Sequence, residues 1–138
     1  FDVVGIGPRW PRILAALLGF LGVAAGAFGA HGLRELVTPE QMHTWETAAS
    51  YQLLHAVALL SVSGWQQRTL SPRLKFWLLW ACGLIVAGVV LFSGSLYLLV
   101  LTGIGAFGPI TPLGGVALLA AWMILMACGL AGESHAAP

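Results

Sequence analysis

The sequence predicts an all-α integral membrane protein, a four-helix bundle with a short amphipathic helix leading into the second span. Three observations predict it. Of 138 residues, 59% are hydrophobic and only 8% are charged, whereas a soluble domain carries about 25% charged residues to cover its surface. Mean hydropathy is +0.90, and the apolar residues gather into four stretches near the length of a bilayer crossing. The cations divide unevenly between the loops that would join those stretches. A net charge of +1 argues against a nucleic-acid partner.

The spans are read at about 13–30, 48–65, 76–101 and 113–131, within a single membrane domain covering 1–138. A hydrocarbon core of about 30 Å needs roughly 20 helical residues. The first two stretches reach that length only with helical flanks. Arg9 and Arg12 before an apolar run, with Ala25-Gly26-Ala27 inside it, also suit a signal peptide. The run is read instead as a retained span. Phe1 stands where a translated start would have Met, so it is expected to lie downstream of that start.

Arg9, Arg12, Arg68, Arg73 and Lys75 fall on one side of the four-span arrangement, and Arg34 alone on the other, near Glu35, Glu40 and Glu46. The excess of Lys and Arg predicts that both termini face the cytoplasm of a bacterial inner membrane. Trp10, Trp65, Trp77 and Trp80 suit an aromatic belt on that side.

Thr38-Pro39-Glu40-Gln41 has the spacing of a capping box with proline at the first helical position. A helix is therefore expected to start there, amphipathic at first, and run into span two. The stretch TGIGAFGPITPLGG, Thr102 to Gly115, is glycine-rich, uncharged and broken by two prolines. It is expected to be irregular and to fold back on the bundle. The terminal GESHAAP is expected to fray.

Small residues allow close helix packing in lipid, where no hydrophobic drive joins helices. Gly19, Gly22, Gly26 and Gly29 form such a stripe on span one, continued by Gly83 and Ala87 in span three and Ala117 and Ala121 in span four. Ala16, Ala24 and Ala27 offer span one a second shallow surface.

The polar residues within the spans are few and fall in one half of the bilayer. Tyr51, Gln52 and His55 share a helix face by their spacing of three and four. His31 ends span one, and Ser93, Ser95 and Tyr97 lie in the corresponding half of span three. Unpaired polar groups in hydrocarbon cost several kcal/mol, so these groups are expected to face inward and bond one another, with His31, Gln52, His55, Ser93, Ser95 and Tyr97 converging beneath the glycine-rich loop. Such a cluster either locks the helices in register or binds a small ligand, lipid headgroup or proton.

Other chemistries lack their residues. Glu40 and His43 form an E-x-x-H element, but a di-metal carboxylate bundle needs two such elements and further glutamates. No metal or other cofactor is expected. Cys82 and Cys128 lie in apolar runs and read as core residues. With no Ser/His/Asp set, Walker loop or dinucleotide fingerprint, the chain is not expected to be an enzyme.

Four segments in order, GAFGAHGL (Gly26 to Leu33), WETAASYQLLHAVALL (Trp45 to Leu60), FSGSLYLL (Phe92 to Leu99) and GPITPLGG (Gly108 to Gly115), resemble one family. It is domain-of-unknown-function family 423, whose eukaryotic relatives are called transmembrane protein 256. The resemblance runs from about Ile13 to Ala131. It implies an inner-membrane protein of about four helices and brings no catalytic residues with it. The positions matching its motifs are His31, Trp45, Tyr51, Gln52, His55, Ser93, Ser95 and Tyr97.

Two function classes follow. One is an accessory or scaffold subunit that packs against a larger membrane complex or itself, in contact with membrane lipids. The other is a ligand-binding or proton-coupled transport component that uses the polar cluster.

Overall fold

In a computed structural model, residues 7–68 and 70–132 are described; the expected fraying of GESHAAP falls almost wholly outside them. Four helices follow one another: α1 (Trp10–Phe28), α2 (Pro39–Gln66), α3 (Pro72–Thr102) and α4 (Ile110–Ala131). Each runs antiparallel to its neighbour, because contacts pair early positions of one with late positions of the next, as Trp45 meets Ala25 and Thr111 meets Ser95.

Local chemistry sets the ends. Thr38 Oγ1 accepts the Gln41 amide at 3.1 Å while Gln41 Oε1 accepts the Thr38 amide at 2.9 Å. The expected capping box thus opens α2, which continues unbroken for 28 residues. Ser71 caps α3 with Pro72 at its first position, and Gly103, at φ 71°, ends that helix by donating its amide to Leu99 O at 2.9 Å. The connection to α4 is shorter than the sequence implies. Only 103–109 are non-α, with a 3₁₀ turn at Gly105–Phe107. Pro112 is already helical, in the first turn, where its missing N–H removes no intrahelical bond.

Three helical segments are long and apolar enough to cross a membrane: Trp10–Leu33, Pro72–Thr102 and Gly105–Ala131. The stretch expected as span two does not qualify by composition, although α2 is about 42 Å long at 1.5 Å per residue. Its burial explains why. Gln52, His55 and Ser63 are 3–4% exposed, while Leu54, Val57 and Leu60 are 54–64% exposed. The helix is polar within and apolar without, which suits hydrocarbon surroundings and would be costly in water.

In space the helices follow chain order. α2 packs between α1 and α3, α4 packs on α3, and α1 and α4 do not meet among the described residues. The outer helices bury narrow stripes: Pro11, Ala15 and Gly22 on α1, and Gly114, Leu118, Ala121 and Cys128 on α4. The core between them includes Leu59, Leu78, Cys82, Ile85 and Val89.

The glycine stripe of α1 is corrected. A Cβ at Gly22 would lie 2.8 Å from Leu53 Cδ2, and one at Gly29 would lie 2.7 Å from Trp45 Cδ1. Gly19 has only the Ala56 methyl at 3.9 Å, and Gly26 has nothing within 4 Å. The seven-residue interval from Ala15 through Gly22 to Gly29, not a four-residue one, faces α2. Gly83 also faces open space. The tight crossing of α3 and α4 uses Gly88 and Gly114 instead, where a Cβ on Gly114 would overlap the Phe92 amide nitrogen and lie 2.8 Å from Gly88 O.

Candidate functional site

The polar side chains meet along α2, which is hydrogen-bonded to all three other helices. Trp45 donates its indole N–H to Ala25 O of α1 at 2.8 Å and packs its ring on Phe28 and Tyr97 at 5.8 and 4.6 Å between centroids. Nearly one helix turn beyond, Ser93 of α3 donates to Ala48 O at 2.7 Å. Each bond returns a polar atom to a backbone carbonyl of the facing helix, the cheapest acceptor in a dry interior.

Gln52 joins three helices. Its Nε2 donates to Leu18 O of α1 at 2.8 Å, and its Oε1 accepts the Tyr97 hydroxyl of α3 at 2.7 Å. One turn on, His55 Nδ1 lies 2.7 Å from Tyr51 O, and Nε2 accepts the Trp122 indole N–H of α4 at 3.0 Å. The neutral Nδ1–H tautomer satisfies both contacts. Because α2 starts at Pro39, His55 lies past the midpoint of the helix.

Ser95 pairs with Thr111 Oγ1 at 2.6 Å and shares its hydroxyl with Phe92 O, close to the start of α4. Tyr51 stands apart from Gln52: it is 43% exposed and packs its ring on Phe92, 4.5 Å away, and over His55. His31 does not join the cluster. It occupies a π-helical turn, Gly29–Leu33, whose buried residues are Gly29 and Leu33, so its side chain is exposed on another side. The structure therefore gathers Gln52, His55, Ser93, Ser95 and Tyr97 along α2 and α3 rather than into one pocket under the loop, and leaves His31 outside.

Trp122 and Thr111 were not anticipated as partners. Trp122 carried a usable signal: a tryptophan in the middle of a span, away from the aromatic belt, needs an acceptor for its N–H. The acceptors Ala25, Leu18 and Ala48 are backbone carbonyls, which no side-chain pattern encodes. Buried polar atoms without a partner among the described residues occur elsewhere, at Gln66 Oε1 and Gln67 Nε2 beside Gly7. Among the described residues no group of three or more His, Cys, Asp or Glu could hold a metal.

Coupling through Gln52 is measurable. Gln52→Leu is expected to cost about 1–2 kcal/mol in detergent unfolding, in the upper range for interhelical bonds in membranes. Tyr97→Phe should cost less. The double variant should cost less than the two together, because each single change leaves one partner unsatisfied. Full additivity would show that the bond contributes nothing.

The model of the family described as "Protein of unknown function (DUF423)" matches residues 25–115. A UPF0382 membrane protein, SAB0533, of Staphylococcus aureus (strain bovine RF122 / ET3-1) is 43% identical over 114 residues, covering 83% of this chain and 89% of its own length. The UPF0382 inner membrane protein YgdD of Escherichia coli (strain K12) is 39% identical over 118 residues, covering 86% and 87%. No solved structure matches.

Proposed function

We propose a structural role for this chain, which belongs to the DUF423 family of membrane proteins: an accessory or scaffold subunit that packs against other membrane proteins. The carrying observation is that the buried side chains of the interhelical seam are already hydrogen-bonded to one another or to backbone carbonyls. Gln52 uses both its oxygen and its nitrogen, and His55 both ring nitrogens. A transport or ligand site needs polar atoms left over for its cargo. A seam of this kind instead fixes helix order and leaves the outer faces for neighbours. Those faces are wide on α1 and α4, and Ala16, Ala24 and Ala27 on α1 are exposed and small enough for another helix to approach closely.

In this reading the molecule sits in the inner membrane with its basic end, formed by the α2–α3 turn and the start of α1, toward the cytoplasm. It works without a cofactor and without catalysis. Gentle extraction of the intact protein followed by native mass spectrometry tests the role. A stoichiometric protein partner, weakened by Ala24→Leu or Ala27→Leu with helicity unchanged, is the expected result. A chain that emerges alone, and whose reconstituted proton flux disappears in His55→Phe, would replace this role with transport.

A further inference from the structure

Between the basic start of α3 and the end of α4 runs a groove of about 610 Å³, lined among others by Arg73, Leu74, Trp77, Met123, Ile124 and Ala127. It opens outward, since Met123 is 70% and Trp77 43% exposed. α3 and α4 are in backbone contact at Gly88 and Gly114, toward the other end of the pair. We infer that this groove binds an anionic glycerophospholipid, with the phosphate at Arg73 and an acyl chain along Trp77, Met123 and Ala127.

Charge selects the headgroup. Arg73 has no ion-pair partner among the described residues, whose carboxylates, Glu35, Glu40 and Glu46, all lie at the opposite end of the helices. Asp2 and Glu133 lie outside the described residues. Arginine matches phosphate oxygens with a planar fork of donors. Trp77 follows one helical turn after Arg73, on the same face. An indole at this level belongs at the boundary between headgroup and hydrocarbon.

Length and lining suit an acyl chain. From Met123 to Ala131, α4 rises about 12 Å, most of one leaflet of a core about 30 Å thick. The lining past Arg73 and Ser71 is apolar, so a free inorganic anion would leave most of the groove unused.

The test uses the full chain in a neutral detergent, titrated with phosphatidylglycerol, with phosphatidylcholine of the same chains, and with inorganic phosphate, read by native mass spectrometry. Phosphatidylglycerol is expected to bind most tightly. Arg73→Gln should lower its affinity about fivefold, the effect of one interfacial cation, and Arg68→Gln should lower it much less. Ala127→Trp, at an exposed position, should block both lipids by filling the groove while the helical content stays unchanged. The inference is overturned if Ala127→Trp leaves lipid binding intact. Equal losses in Arg68→Gln and Arg73→Gln would also overturn it, in favour of general surface charge. So would inorganic phosphate displacing the phosphatidylglycerol.

Discussion

Gly114→Ala is expected to be among the most damaging single changes in the protein, costing about 3 kcal/mol, the upper end of what overpacking usually costs. The added methyl would overlap the Phe92 amide nitrogen and crowd Gly88 O at 2.8 Å. Both are backbone atoms, and a backbone held in a 31-residue helix cannot move aside as a side-chain tip can. The helices must then separate, losing the packing of Leu118 on Gly88 and the Ser95–Thr111 bond at 2.6 Å. Thermal unfolding of the purified variant in detergent measures the effect. Gly26→Ala is the matched control. A methyl there meets nothing within 4 Å, and alanine is the better helix former by about 1 kcal/mol in water. It should be neutral or slightly stabilising. If Gly26→Ala were the more harmful of the two, the packing of α1 and α4 described above would be wrong.

Trp45→Ala is the second large effect. The side chain is 5% exposed, wedged among Leu33, Met42 and Val100 and between the rings of Phe28 and Tyr97. Truncating a buried tryptophan costs about 3–5 kcal/mol through lost contacts and the cavity left behind. Trp45→Phe keeps most of the ring and gives up only the 2.8 Å bond to Ala25 O. Its cost should be about 1 kcal/mol. The two variants therefore separate packing from hydrogen bonding at one position, again by unfolding in detergent. Similar losses in both would mean that the bond, not the ring, holds α1 to α2.

Much of this architecture is legible in the amino-acid sequence. Composition decides the all-α membrane class, because only helices can pair every backbone group within hydrocarbon without closing a barrel. The Thr38–Gln41 capping box is local and appears as expected, since its atoms lie within four residues. Gln52, His55, Ser93, Ser95 and Tyr97 could be singled out because buried polar side chains are rare in such a chain. Their partners could not. A helical period of 3.6 leaves it open whether Gly26 or Gly29 turns toward a neighbour, and the answer depends on the angle at which α2 crosses α1.

Tertiary structure decided that Gly29 meets Trp45 while a Cβ at Gly26 would meet nothing within 4 Å, and that His31 turns away on a π-helical turn. It also decided that α2, the least apolar helix, becomes the hydrogen-bonding centre. The sequence by itself determines which groups must be satisfied, because desolvation cost belongs to each residue. Only the packed helices determine what satisfies them, because the acceptors for Trp45, Gln52 and Ser93 are carbonyls of Ala25, Leu18 and Ala48, and every residue has a carbonyl.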